Sequence, residues 1–427
     1  MDSRTEIIRR RVLDLVPQRA SESPVVLLQG PRAVGKSTAL RLLAAADHAP
    51  YIDLDDPIVA DDAVANPSSF LPAAPRIYLD EYQRAPVLLD AVKARLNRDG
   101  RAGQFVLAGS TSANALPAGT QALTGRLHRM PIYPLSQREV EEDNSSVLAR
   151  LFDAPESLSD ARSQTDRDEY VSRIVVGGYP QALRASGGPA RQRWFADYVT
   201  QTIQRDLPTL ETIRRPQAVR QLLKRVAACT GQVTTLASLA EGTGVQPRTA
   251  QTYLDALEQA FVVHRLEPWT RVLTSRALRK PKLHIVDSGL AAHLLRLTGD
   301  KLAARTPETL TAFGGLLESF VVAEICKEAS WLDEVASVGY WRTRDGLEVD
   351  IVVERYDGVV VAFEVKSAQR LKDGDLGALR TLRDRLGPDF RAGVVLHTGP
   401  RAAHPEDRLF TLPIDQLWNS RDAVRAS

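Results

Sequence analysis

The sequence predicts a multidomain α/β chain, on three observations. An apolar run from Pro24 to Gln29 passes through Gly30-Pro31-Arg32-Ala33-Val34-Gly35-Lys36-Ser37 into a helical pattern. A helix-rich middle carries a helix-turn-helix signature, and a second set of apolar strands near the C-terminus carries Asp350 and Glu364. At 427 residues and 46.9 kDa the chain exceeds what one hydrophobic core ordinarily serves. The expected divisions are a parallel-sheet core at 1–145, an insertion and helical linker at 146–215, a winged helix-turn-helix at 216–272 and a further α/β domain at 273–427.

The first element is a short buried strand followed by a glycine loop and a helix. Gly30 and Gly35 let the backbone wrap phosphates, the loop N–H groups and the helix N-terminus point at them, and Lys36 reaches the outer ones. Pro31, Arg32, Ala33, Val34 and Thr38 complete the cradle, and Ser37 supplies a hydroxyl to magnesium. The expected ligand is therefore ATP with Mg2+. A second strand, Arg76-Ile-Tyr-Leu-Asp80-Glu81, delivers two carboxylates at its C-terminal end, the edge at which open α/β sheets bind ligands. Asp80 is the expected magnesium ligand and Glu81 the general base that prepares the attacking water. On its own such a strand end is equally a solvated terminus, and the glycine loop gives it meaning.

A third strand, Gln104 to Ala108, ends in Gly-Ser-Thr-Ser. Ser110 or Thr111 is expected to bond the γ-phosphate or the water, with a helix cap as the alternative. Leu123-Thr-Gly-Arg126 presents Arg126, with Arg129 close behind, as the arginine that neutralises transition-state charge in cis or from a neighbouring subunit. Action from a neighbour would require a homo-oligomer.

These residues resemble the bacterial and archaeal AAA-type P-loop ATPases that carry a C-terminal domain of unknown function. The resemblance rests on Leu28 to Thr38, Tyr51 to Pro57, Leu79 to Pro86, Leu107 to Thr111, Leu123 to Arg126, Tyr133-Pro-Leu-Ser136 and Gly177-Gly-Tyr-Pro-Gln-Ala-Leu183, and covers nearly the whole chain. It implies an ATPase core similar to that of the signal-transducing and archaeal ATPases.

Composition narrows the remaining possibilities. With 44% hydrophobic and 25% charged residues the chain is expected to fold. Lys+Arg 55 against Asp+Glu 53 leaves +2, so any attraction to nucleic acid must be local. Only nine of the basic residues are lysines, which makes each one informative. Met1 to Glu6 lacks an apolar signal core, and no run of about 18 uncharged apolar residues occurs, so the expectation is a cytoplasmic protein without a membrane partner. Cys229 and Cys326, about a hundred residues apart, are expected to be buried core thiols.

From about 140 to 168 the chain turns polar, which reads as a surface insertion or mobile connection. Trp194, Phe195, Tyr198, Val199 and Ile203 then recur at helical spacing. Helices are expected at Pro216 to Ala228, Thr235 to Ala240 and Gln246 to Ala260, followed by a wing at Phe261 to Leu266. If this module meets DNA, Gln246, Arg248, Thr249, Gln251 and Thr252 face the major groove. Glu241, Asp255 and Glu258 nearby oppose phosphate attraction, and a packing role is the alternative.

In the last segment Glu318 lies on an expected helix, Asp350 on a strand, and Glu364-Val-Lys366 on the next strand. Alternation puts Glu364 and Lys366 on one face. This pattern resembles the PD-(D/E)xK, restriction-endonuclease-like fold, which implies that Glu318, Asp350 and Glu364 hold Mg2+ or Mn2+ while Lys366 positions a water against a phosphodiester of DNA or RNA. Such folds also serve as binding or assembly modules with an idle site. Tyr340, Trp341, Arg342 and Arg344 flank the constellation, as base-stacking and phosphate-contacting groups or as a core strand edge. The combined expectation is an ATPase whose nucleotide cycle controls a nuclease-like domain. An ATP-driven switch with an idle domain and a winged-helix regulator are the alternatives.

Overall fold

The computed structural model describes residues 7–110, 123–207, 213, 215–271 and 280–419. The chain divides into two compact units, Met1–Pro134 with Gln259–Phe261 and Leu135–Glu258 with Val262–Ser427.

The first unit is built on a parallel sheet in the order β2 (Tyr51–Asp53), β3 (Ile77–Asp80), β4 (Phe105–Gly109), β1 (Val25–Gln29), β5 (Leu127–Pro131). Every residue of β1, β3 and β4 is buried. That is the reason these strands are continuous apolar runs rather than alternating ones, since a parallel sheet is covered on both faces. Val25, Leu27, Ile77, Leu79, Phe105 and Leu107 pack with Leu88, Leu89 and Val92 of the helix Leu88–Arg98. The helix Pro57–Ala65 starts where Asp56 accepts a hydrogen bond from the Ile58 N–H and Pro57 occupies the first turn, where no backbone donor is needed.

The second unit opens with the motif Tyr-Pro-Leu-Ser. Ser136 accepts from the Glu139 N–H, and the Glu139 carboxylate accepts from the Ser136 N–H, a reciprocal cap on a short helix. The polar stretch after it, expected as a surface insertion or mobile connection, carries the helices Val147–Asp153 and Arg167–Val176 and several inward-facing hydroxyls. Ser146 Oγ and the Leu148 N–H both donate to Glu328 Oε1, at 2.5 and 2.9 Å, and Ser163 and Thr165 donate to the fully buried Asp415 at 2.6 and 2.8 Å. These hydroxyls satisfy buried carboxylates, while Glu141, Asn144, Glu156 and Asp160 stay exposed.

The helix Pro307–Ala329 is long and apolar enough by composition to cross a membrane. Here Phe313, Leu316, Leu317, Phe320 and Val321 are buried against the protein, and Glu324 receives the Gln137 N–H at 2.8 Å and Lys327 at 2.7 Å. The helix touches β8 (Val335–Arg342), β9 (Glu348–Arg355) and β10 (Val360–Lys366). These belong to a six-stranded sheet of order β12-β13-β11-β10-β9-β8, with β11 at Phe390–His397, β12 at Ala403–Glu406 and β13 at Leu409–Pro413. Strands β8, β9 and β10 are antiparallel neighbours, and β11 lies parallel to β10 after the helix Gly377–Leu386. Cys229 and Cys326 are free thiols on half-buried residues, and burial pushes the Cys326 thiol up.

The paired glycines of Gly177-Gly-Tyr-Pro have a steric cause. A Cβ on Gly177, whose φ is +70°, would meet Asp287 Oδ1 at 2.3 Å, and one on Gly178 would sit 2.1 Å from the Leu135 carbonyl oxygen. Gly178 N donates to Asp287 at 2.7 Å and its carbonyl accepts from Leu135 at 2.8 Å, so the backbone has no room to retreat. Gly178→Ala is therefore expected to cost about 2–4 kcal/mol of stability. Thermal denaturation of the full chain checks this, with an unchanged midpoint against the close-approach argument.

Candidate functional site

At the C-terminal edge of the first sheet, β1 ends in Gln29 and the loop Gly30 to Gly35 turns into the helix Lys36–Ala46. Ile132 N donates to the Gln29 carbonyl at 2.7 Å, and a Cβ on Gly30 would lie 1.9 Å from the Ile132 carbonyl oxygen. Gly30 is thus required by close backbone approach, while Gly35 is required by its φ of +92°. Ala33 adopts a left-handed φ of 59° without being glycine. Lys36 is buried, and its ammonium donates to the Gly30 and Pro31 carbonyls at 2.8 and 2.7 Å, holding the loop closed on itself. Pro31 and Val34 are buried, Arg32 and Ser37 half-buried, and Thr38 exposed.

Parallel register brings the carboxylates to the same edge, with Asp53 beside Asp80 and Gln29 beside Gly109. Asp80 is buried and accepts from the Tyr51 hydroxyl at 2.8 Å and the Glu81 N–H at 3.0 Å. Burial raises the Glu81 carboxyl above its ordinary value, while Lys36 and Arg32 pull it back. The structure adds a residue absent from the sequence reading. The Gln83 amide donates to Glu81 Oε2 and, at 3.3 Å, to Ser110 Oγ, so it bridges the two. Its only sequence signal was its place two residues after Glu81. Arg10 was also missed, because nothing local marks a residue so far from the loop. Its guanidinium donates to the Val34 carbonyl and, at 2.7 Å, to the Tyr133 carbonyl, clamping the loop from behind. Thr111 lies outside the described residues.

Arg126 is not brought to this site. It precedes β5, whose first residue Leu127 pairs with Val25 at the start of β1, and it donates to Asn97 Oδ1 at 2.7 Å. It therefore stands at the opposite sheet edge, one five-residue strand or roughly 16 Å from the loop. Arg129, in register with Leu27, lies midway along the same strand. Within its own chain Arg126 is therefore not brought to the glycine loop.

In the second unit the expected residues converge, but around a different cation. Lys282, on β7 (Lys282–Ile285), is 1% exposed and places its ammonium 2.9 Å from Glu318, 2.5 Å from Glu348 and 3.2 Å from Asp350. Burial works against its charge, yet Asp350, Glu318 and Glu348 together raise its pKa well above the ordinary lysine value. Asp350 also accepts from the Val365 N–H at 2.9 Å, and Lys366 donates to Glu364 Oε1 at 2.7 Å. Glu364 Oε2 is buried without a hydrogen-bond partner.

The expected metal ligands Glu318, Asp350 and Glu364 are not brought together as a cage. Among the described residues no group of three or more such side chains is arranged to hold a metal ion. An ammonium already lies between two of the three carboxylates and supplies the positive charge a metal would bring. A metal here would have to displace the Lys282 ammonium from Glu318 and Asp350. Lys282 was legible as one of nine lysines, placed at the start of an apolar strand where a buried charge needs partners.

Helices run at Pro216–Ala228, Leu236–Ala240 and Pro247–Gln259, and β6 (Val263–Leu266) pairs antiparallel with β7. On the third helix and just before it, Gln246 and Arg248 are exposed, whereas Thr249, Gln251 and Thr252 are half-buried. Gln251 is bonded to Asp255 at 2.6 Å. Tyr340 and Trp341 are buried, which favours the core-strand alternative, while Arg342 and Arg344 remain exposed.

A phosphate-type glycine loop with paired carboxylates on a parallel sheet defines a P-loop ATPase-type domain, and the AAA domain family model matches residues 22–141. Two domains of unknown function match further on, DUF8612 at 167–301 and DUF4143 at 313–417. An uncharacterized protein of Mycobacterium tuberculosis, Rv2008c, is 30% identical over 415 residues, covering 96% of this chain and 85% of that protein. The chain belongs to the same family as this mycobacterial protein. An uncharacterized protein of Haemophilus influenzae is 23% identical over 288 residues, 65% of this chain and 62% of that one. Among solved structures, the Walker-type ATPase PABY2304 of Pyrococcus abyssi is 16% identical with a TM-score of 0.41, covering 68% of this chain and 96% of that chain. The RuvB Holliday junction branch migration motor of Thermotoga maritima is 18% identical with a TM-score of 0.30, covering 59% and 89%.

The carboxylates around Lys282 set a pH dependence. Burial, with Asp350 adding to it, pushes Glu364 from the ordinary 4.5 up to about 8, and the same causes push Glu318 up to about 7, against the opposing effect of Lys282 on both and of Lys366 on Glu364. Between these values and 4.5 the folded chain holds protons that the unfolded chain has released, so stability falls as pH rises through this window. Glu364→Gln is expected to flatten that fall, read as the thermal midpoint against pH, and an unchanged slope would count against the assignment. Lys282→Met leaves three partly buried carboxylates without their ammonium and is expected to cost about 3–5 kcal/mol near neutral pH. Urea or thermal unfolding of the full chain measures it.

Proposed function

We propose that the chain is an ATP-hydrolysing switch whose C-terminal domain, of restriction-endonuclease-like architecture, engages DNA or RNA without cutting it. The observation that carries the hydrolytic half is the meeting of Lys36, Asp80, Glu81, Gln83 and Ser110 at one sheet edge. The loop N–H groups and Lys36 receive the phosphates, which requires the ammonium to leave the Gly30 and Pro31 carbonyls. Ser37 Oγ and Asp80 offer the hard oxygen donors that suit a magnesium ion, whose role there is to neutralise charge on the phosphates. Glu81 takes the proton of the attacking water, and its burial, which raises its pKa, makes the carboxylate a stronger base. Gln83 orients Glu81 and ties it to Ser110. An arginine in the role expected of Arg126 comes from a second subunit, so the active form is a homo-oligomer.

The order helix, three antiparallel strands, helix and parallel strand, from Pro307 to His397, supports the restriction-endonuclease-like reading of the C-terminal domain. Lys282 among its carboxylates favours an idle site over a cutting one. The helix-turn-helix with its antiparallel β6–β7 pair supports a winged helix as a second contact with nucleic acid. A regulated nuclease is the second reading, favoured by the unpartnered Glu364 Oε2 beside Lys366.

Lys36→Ala is expected to abolish nucleotide binding, whereas Glu81→Gln retains binding and lowers hydrolysis by about 10²–10⁴-fold. Phosphate release and nucleotide titration check both, and full hydrolysis by Glu81→Gln would remove it as the base. The wild type is expected to leave single- and double-stranded DNA and RNA intact with Mg2+ or Mn2+, with or without ATP. Cleavage that is lost in Glu364→Ala and Lys366→Ala would instead establish the regulated nuclease.

A further inference from the structure

The helical part of the second unit contains a cleft of about 410 Å³ that neither site described above uses. Arg220 and Lys224 reach it from the helix Pro216–Ala228, His293 from the helix Ser288–Leu294, Arg296 from the turn after it and Lys301 from the helix Gly299–Ala303. No carboxylate is among its lining residues. In a chain whose 55 basic residues are nearly balanced by 53 acidic ones, four cations on one concavity are a local departure. Among the described residues none of the four is in an ion pair, although Asp197 and Asp300 are close in sequence to the lining.

Two of the four cations are held by neutral groups, so they are oriented without being cancelled. The Arg220 guanidinium donates to Thr200 Oγ1 at 3.1 Å and the Lys301 ammonium to the Arg296 carbonyl at 2.9 Å. His293 Nδ1 lies 2.5 Å from Gln192 Oε1. Arg296 itself adopts φ of +56°, closing the preceding helix with its N–H on the His293 carbonyl at 3.0 Å. Glycine or asparagine is the usual residue in that conformation, and a long cation there stands against the local backbone preference.

We propose that this cleft binds the sugar-phosphate backbone of a nucleic acid. Spaced, mostly solvent-facing cations match repeated phosphates, each contact releasing counterions without reading sequence. The helix Pro216–Ala228, which supplies Arg220 and Lys224, is also the first of the three helix-turn-helix helices, so backbone contacts here are continuous with that module. This inference rests on the nucleic-acid reading given above and adds to it the surface that supplies the affinity.

The test is fluorescence anisotropy of the full chain with labelled single- and double-stranded DNA and RNA oligonucleotides over a salt series, without added nucleotide. Wild type is compared with a Lys224→Glu, Arg296→Glu double variant and with Arg98→Glu, Arg101→Glu, an equal charge change on the first unit. The cleft variant is expected to bind at least about tenfold more weakly, irrespective of sequence, with the salt slope reduced by about one per lost contact. The control pair should bind as wild type does. ATP hydrolysis and the thermal midpoint report folding, and Lys224→Gln, Arg296→Gln repeats the test without introduced repulsion. If wild type binds but the cleft variants bind equally well, the cleft proposal alone is overturned. If wild type binds no oligonucleotide, the nucleic-acid reading falls and takes the cleft with it. If inorganic tripolyphosphate displaces the oligonucleotide at comparable concentration of phosphate, the ligand is a free polyphosphate and the backbone assignment is overturned.

Discussion

A charge removed from water must meet its opposite, and the second unit of this chain is arranged around that requirement. The Lys282 ammonium joins β7 to Glu318 on the helix Pro307–Ala329 and to Glu348 and Asp350 on β9. The same helix carries Glu324 and Glu328, which meet Lys327, the Gln137 N–H, Ser146 and the Leu148 N–H. Apolar burial alone would let these elements slide, because it has no direction. Buried ion pairs have direction, and breaking one leaves a charge with nowhere to go. The helix is long and apolar enough to be mistaken for a membrane span, and its charged positions tie it into the protein.

The two carboxylate sites differ in what faces them. In the first unit Asp80 and Glu81 lie at the open edge of a parallel sheet, with Lys36 turned onto its own loop and a hydroxyl or amide as the nearest partner of each carboxylate. In the second unit the carboxylates face an ammonium that is itself sealed from solvent. Residue types common in metal-dependent chemistry occur in both, and the position of one lysine in each separates a receptive site from a neutralised one.

Much of the first unit was legible because its signals are local. The order of strand, glycine loop and helix, and the apolar strand ending in Asp80-Glu81, follow from neighbours in sequence and from the coverage of a parallel sheet on both faces. The helices at Pro216–Ala228 and Pro247–Gln259 were legible for the same reason, their apolar period. The segment from 140 to 168 combines exposed positions such as Glu141, Glu156 and Asp160 with polar groups that face inward, and local polarity does not tell the two apart. Ser146, Ser163 and Thr165 face buried carboxylates far along the chain.

By itself the sequence determined the nucleotide loop, its carboxylate strand and the α/β character of both ends of the chain, because short-range spacing dictates each of them. The tertiary structure alone decided that Arg126 stands at the far edge of its sheet, that Gln83 bridges Glu81 and Ser110, and that Lys282 takes the place expected for a metal. Strand register and helix packing set those distances, and they depend on contacts between residues tens to hundreds of positions apart, which no local pattern records.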